Sequence, residues 1–133
     1  MANIENIEKA ITPKTKIIWL ESPTNPTMKM IDIEAVTSLA KKNNILTVVD
    51  NTFATPYIQS PLLLGADIVY NSCTKYLGGH SDVVMGAVVL NDKDLHAKLF
   101  LISCSIGANP SPFDCFLMNR GIKTLGVRVM KST

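Results

Sequence analysis

The sequence is short of aromatic residues, of cysteine and of unbalanced charge, and each shortage removes a class of protein. Aromatics make up 6% of its 133 residues and the net charge is +2. No basic stripe interleaved with stacking rings results, so a nucleic-acid partner is not expected. No apolar run approaches the ~20 residues that span a bilayer, and the first residues carry no apolar core of a secretory leader. No membrane partner and a cytoplasmic location are therefore the expectations. Cys73, Cys104 and Cys115 are odd in number and lack CxxC or Cys/His zinc spacing, which predicts reduced thiols and no disulfide framework. His80 and Asp82 have no further ligands at a usual spacing, so no metal is expected. Gly78-Gly79 follow Lys75 rather than precede it, the wrong order for a P-loop.

What is present is apolar material. A hydrophobic fraction of 47% against 18% charged residues predicts one globular domain with a filled core. Ile4, Ile7 and Ile11 recur at helical spacing over Asn3 to Ile11, and Pro13 ends that helix. Lys16 to Leu20 reads as a buried strand running into Glu21-Ser22-Pro23-Thr24-Asn25-Pro26, whose prolines forbid helix. Asp32 is placed to cap a helix from Ile33 to about Lys42, closed by Asn43-Asn44. Ile45 to Val49 is the next strand and delivers Asp50, Asn51, Thr52 and Phe53 to its carboxyl end. Pro56 and Pro61 break the following stretch, and Gly65 stops the short apolar segment Leu62 to Leu64. Buried strands are predicted at Ala66 to Tyr70 and Val83 to Leu90, with a polar loop between. Asp92 begins a helix through about Ser105, and His96 is expected on the exposed face of a charged helix. Ser111 starts a last helix, interrupted by Gly121. Strands thus alternate with helical crossovers, and the fold class is α/β, a mostly parallel sheet flanked by helices on both faces. Leu125, Val127 and Val129 are still periodic where the sequence stops, so a portion of a larger fold is expected.

Ligands in open α/β sheets sit at the carboxyl ends of strands. Three such ends carry polar clusters here: Asn25, Asp50, and Ser72 to Lys75. A lysine in desolvating surroundings serves as an amine nucleophile toward a carbonyl; the plain alternative is a solvated lysine in a turn. The set suits an aldehyde cofactor bearing a ring nitrogen and a phosphate. Lys75 would join the aldehyde, Asp50 the protonated nitrogen, Ser72 and Thr74 the phosphate, and Asn25 the ring's phenolic oxygen. Taken singly, Asp50 and Asn25 also read as ordinary turn formers.

Ser72-Cys73-Thr74-Lys75-Tyr76 with Gly79-His80-Ser81-Asp82-Val83-Val84 resembles the cofactor-lysine signature of the trans-sulfuration (Cys/Met metabolism) family of pyridoxal-phosphate enzymes. Glu21 to Pro26 and Val48-Val49-Asp50-Asn51-Thr52-Phe53 resemble two further family motifs, in family order. The likeness continues through Leu64-Gly65-Ala66-Asp67 and Asn119 to Leu125. Within the family, Pro110 to Cys115 with Asn119-Arg120-Gly121 is most similar to the eukaryotic cystathionine γ-lyases. The resemblance implies a fold-type I (aspartate aminotransferase-like) domain, pyridoxal 5'-phosphate as cofactor and an amino-acid substrate. It implies Lys75 as the catalytic Schiff-base lysine, Asp50 at the pyridine nitrogen, and Ser72 and Thr74 at the phosphate. Asn25 matches the residue near the ring oxygen and Thr52 the one packed near the ring face. The implied reaction is α,γ-elimination of cystathionine to cysteine, 2-oxobutanoate and ammonia, in a homo-oligomer, usually a tetramer. Sister activities (cystathionine β-lyase, cystathionine γ-synthase, methionine γ-lyase) share the same motifs. Residues 1–133 would be the central portion of the large cofactor domain, without its N-terminal part and C-terminal small domain. The isolated chain is expected to be weakly active or inactive, and a truncated, non-catalytic interaction fragment is the competing reading.

Overall fold

Side-chain caps decide where the helices start. In the computed structural model, which describes residues 3–132, Asn3 Oδ1 accepts the amide of Glu5 at 2.9 Å and begins α1, Ile4–Ala10. Asp32 accepts from Ala35 at 3.0 Å and begins α2, Ile33–Lys42. The strands are β1 (Ile17–Glu21), β2 (Leu46–Asp50), β3 (Ile68–Ser72) and β4 (Gly86–Val89). Between β2 and β3 lie a single-turn helix α3 (Thr55–Ile58) and a tighter turn over Pro61–Leu64. Pro56 sits in the first turn of α3, where its missing N–H costs no bond, so it opens this helix rather than breaking it. Gly65 ends the next turn with φ 88°, as its place after Leu64 predicts. Asp92 accepts from Leu95 at 2.8 Å to begin α4, Lys93–Ile106. Ser111 and Asp114 form a reciprocal capping box at α5, Pro112–Ile122, and α6 follows at Leu125–Ser132.

The sheet runs in the order β1-β2-β3-β4. The first three strands are parallel, with Glu21 opposite Asp50 and Asp50 opposite Tyr70. β4 is antiparallel, pairing Ser72 with Gly86, so the sheet is mixed. The reason is the connection. Between β3 and β4 there is only one helical turn, over Cys73–Leu77, which does not carry the chain back along the sheet, so the next strand pairs antiparallel. Two strand spans shift with it. β3 continues to Ser72, and Val83 to Met85 belong to the loop.

Burial is uneven. Leu20, Ile33, Val36, Val49 and Ala66 form one core, where α2 packs on the sheet. Cys73, Leu77, Met118, Leu125 and Val129 form a second, between the lysine loop and the helices α5 and α6. The two central strands are covered on both faces, β2 through Thr47, Val48 and Val49 and β3 through Ile68, Val69 and Asn71. The edge strands are not buried as expected: Trp19 on β1 is 61% exposed, and Val88 and Val89 on β4 are also exposed. Helix α4 buries none of its residues. Its open surface carries Lys93, Asp94, His96 and Lys98, as expected, and beyond them an apolar stretch with Phe100, Leu101, Ile102 and Ile106 exposed and His96 stacked on Phe100. Gly121 does not interrupt a helix. It lies buried inside α5, and the break falls at Lys123-Thr124. Among the described residues no helix is long and apolar enough to cross a membrane.

Candidate cofactor site

The carboxyl ends of β2 and β3 are joined by a line of hydrogen bonds. Asp50 Oδ1 accepts the amide of Thr52 at 2.9 Å, and Thr52 Oγ1 accepts the amide of Ser72 at 2.7 Å. Ser72 ends β3, and the chain then makes one wide helical turn over Cys73–Leu77. Lys75 is the residue of that turn with non-helical backbone, φ −91° and ψ −121°. Thr74 fastens the turn to the far side of the loop: its hydroxyl accepts the Met85 amide at 3.0 Å and donates to the Met85 carbonyl at 3.3 Å.

Three loops converge beside this line. A small apolar cavity of about 240 Å³ is walled by Pro23 from the loop after β1, Phe53 from the loop after β2, and Tyr76 from the lysine turn. Phe53 and Tyr76 meet edge to face with centroids 6.2 Å apart. A wider, open cleft of about 1020 Å³ lies against Thr74, Lys75, Asp82, Asp114, Arg128 and Lys131.

Asp50, Thr52, Ser72, Thr74 and Lys75 therefore sit together, as their strand ends predict. One expectation is corrected. Lys75 is exposed rather than held in desolvating surroundings, because the wide turn projects it into the open cleft. Asn25 is exposed on its loop, and among the described residues no hydrogen bond of its side chain reaches the other five. That loop is shaped by its neighbour Thr24, whose hydroxyl accepts the Lys29 amide at 2.9 Å and bonds the Thr27 hydroxyl at 2.8 Å. The thiol of Cys73 is buried, and desolvation pushes its pKa up, which keeps it neutral.

The sequence did not announce the supports. Gln59 Nε2 donates to the Ser22 carbonyl at 2.9 Å and to Asn51 Oδ1 at 2.8 Å, while Asn51 Nδ2 donates to the Gln59 carbonyl at 2.9 Å. This partly buried exchange ties the loop after β1 to the loop after β2. Arg120 pairs with Asp82 at 2.7 Å across the rim of the cleft. Arg128 reaches from α6 to the lysine turn. A lone arginine between the apolar Leu125 and Val129 was the available signal.

The sequence model of the family described as Cys/Met metabolism PLP-dependent enzymes matches residues 1–133. The chain belongs to that family. It is 56% identical over 131 residues to the cystathionine gamma-lyase of Homo sapiens, covering 98% of this chain and 32% of that protein. Against the probable cystathionine gamma-synthase of Herpetosiphon aurantiacus it is 52% identical over 129 residues, covering 97% and 40%. The crystal structure of cystathionine gamma-lyase from Lactobacillus plantarum, complexed with L-serine, superposes with a TM-score of 0.92 at 46% identity over 94% of this chain and 33% of that one. The chain spans about a third of the length of most of these family members.

The residues present suit the family's cofactor, pyridoxal phosphate. Only one oxygen of the Asp50 carboxylate is engaged among the described residues, leaving the other for a ring N–H. Ser72, whose amide the Thr52 hydroxyl holds, offers a hydroxyl, and Lys75 offers a primary amine three residues later. Thr74 is the least suited, since its hydroxyl already serves Met85.

Proposed function

We propose that this chain is the central portion of the large cofactor domain of a carbon–sulfur lyase, and that Lys75 is its catalytic lysine. The reading's activity is α,γ-elimination of cystathionine to cysteine, 2-oxobutanoate and ammonia, in a cytoplasmic homo-oligomer such as a tetramer. The observation that carries it is the hydrogen-bonded line Asp50–Thr52–Ser72, with Lys75 on the turn that leaves it.

Bound pyridoxal phosphate supplies an aldehyde that joins amines and a ring that draws electrons from the substrate's α carbon. Asp50 would keep the ring nitrogen protonated, with its carboxylate steadied by the Thr52 amide on Oδ1. Ser72 offers its hydroxyl to the phosphate, and Thr74 turns from Met85 to do the same. Thr52 would pack near the ring face, and Asn25 would donate to the phenolic oxygen. Lys75 Nζ would hold the aldehyde and, as a free amine, would carry a proton between substrate carbons. The sister activities use the same residues, so a substrate assay separates them.

Pyridoxal phosphate added to the purified chain, reduced with borohydride and mapped by mass spectrometry, tests the site. Labelling is expected at Lys75 and is expected to be lost in Asp50→Ala. Labelling spread over many lysines would overturn the assignment. A second reading has its own observation, the exposed apolar surface of α4. On it the chain is a non-catalytic fragment that associates with longer subunits, and co-purification without cofactor absorbance of its own would favour it.

A further inference from the structure

A wide turn leaves carbonyl groups at its end that no following helical turn can satisfy. In the lysine turn these belong to Tyr76 and Leu77, and one side chain from α6 takes both. Arg128 donates from Nη1 to the Tyr76 carbonyl and from Nη2 to the Leu77 carbonyl at 3.3 Å. The same Nη2 donates at 2.8 Å to the carbonyl of Gly121, on α5, and Nε donates at 3.0 Å to the Thr124 hydroxyl. The guanidinium is seated by glycines. A Cβ on Gly79 would lie 2.0 Å from Nη1, and a Cβ on Gly121 would lie 2.2 Å from the Gly78 carbonyl oxygen. Both close approaches need the bare backbone. A planar fork of fixed donors can serve this many carbonyls at once, and a lysine ammonium cannot match its geometry.

We propose that Arg128 is the positioning residue of this site, fixing the turn that carries Lys75 by joining the carbonyls of Tyr76 and Leu77 to that of Gly121. The role of the turn rests on the reading of Lys75 as the cofactor lysine. Arg128 touches neither substrate nor cofactor in this reading. It acts through the backbone, by restricting the directions in which Lys75 leaves the turn.

Arg128→Met and Arg128→Lys test it with two readouts on the same chain. The first is amide exchange at Gly78 and Gly79, whose N–H groups donate at 2.8 Å to the carbonyls of Cys73 and Lys75, against Val48 and Val49 in the sheet. The second is the share of borohydride-trapped pyridoxal phosphate found on Lys75 rather than on other lysines. Exchange at the glycines is expected to rise at least about tenfold in Arg128→Met, and less in Arg128→Lys, with the sheet unchanged. The Lys75 share is expected to fall in the same order. Turn exchange equal to wild type would overturn the proposal, as would turn and sheet accelerating together, or a Lys75 share that stays constant while the turn loosens. Should the methionine variant unfold, the lysine variant gives the same readings. A wild-type chain with no label on Lys75 would defeat the reading of that lysine, and the exchange measurement would still decide the clamp.

Discussion

Helices α2 and α4 begin with the same device, an aspartate accepting the amide of the third residue along, from Ala35 at 3.0 Å and from Leu95 at 2.8 Å. Beyond that cap they part. α2 buries Ile33, Val36, Thr37 and Ala40 against the sheet, whereas α4, the longer of the two, buries nothing. Capping chemistry is local and sets where a helix starts; whether it is held depends on what its apolar face meets. α2 meets β2 and the turn over Pro61–Leu64, and Phe100, Leu101 and Ile106 of α4 meet solvent.

The largest effect should come from the core that α2 covers. Leu20→Ala removes a buried side chain from that cluster and is expected to cost about 3 kcal/mol, read as a fall in the urea midpoint. A matching truncation on α4, Leu101→Ala, should leave the midpoint within about 0.5 kcal/mol, and a large loss there would show that α4 is packed in solution. Next comes Gly121→Ala, which sets a methyl against the Gly78 carbonyl. It is expected to cost about 2 kcal/mol and to loosen the second cluster while the α2 side keeps its amide protection.

The caps give a smaller and sharper contrast. Asp32→Ala should lower global stability by about 1 kcal/mol, since α2 melts only with the core. Asp92→Ala should reduce helicity measured by circular dichroism and leave the cooperative midpoint in place. Equal midpoint shifts would erase the distinction between the helices.

The smallest effect concerns the thiols. Cys73 is buried and its pKa is raised by desolvation, whereas Cys104 on α4 is exposed. A thiol reagent should therefore modify Cys104 first and reach Cys73 only on unfolding. Because the folded value for Cys73 lies above the ordinary 9.0, its contribution is fully present below that pH and is lost as pH rises through the folded value. Cys73→Ala should flatten the alkaline limb of a stability–pH curve. An unchanged limb would assign that loss to other groups.

The same contrast explains what could be read from the residues alone. Asp32, Asp92 and Ser111 act within their own first turns, so the starts of α2, α4 and α5 were legible to the residue. So were three parallel strands and the polar clusters at the ends of β2 and β3, with Asp50 on one and Ser72 to Lys75 on the other, since helical crossovers between apolar runs and polar residues after them are visible in the sequence. Thr52 entered only through the family resemblance. The reversal of β4 was not, because apolar runs look alike in either direction. The exposure of Lys75 depends on the shape of a turn whose backbone departs from helix at that one residue. Gly121 reads as a helix breaker until its partner Gly78, distant in sequence, is seen against it. Arg128 was hidden for the same reason, as its acceptors lie on two other segments.

The amide exchange between Asn51 and Gln59 works only with each group as it stands, because Gln59 must give two hydrogens and Asn51 must give one and take one. Hydrolysis of either amide to an acid, a familiar route of chemical ageing, would set a carboxylate facing a carbonyl oxygen in a partly buried place. The loops after β1 and β2 would then come apart with every peptide bond intact. Shelf life of the site, as distinct from that of the fold, is thus written into two side-chain amides.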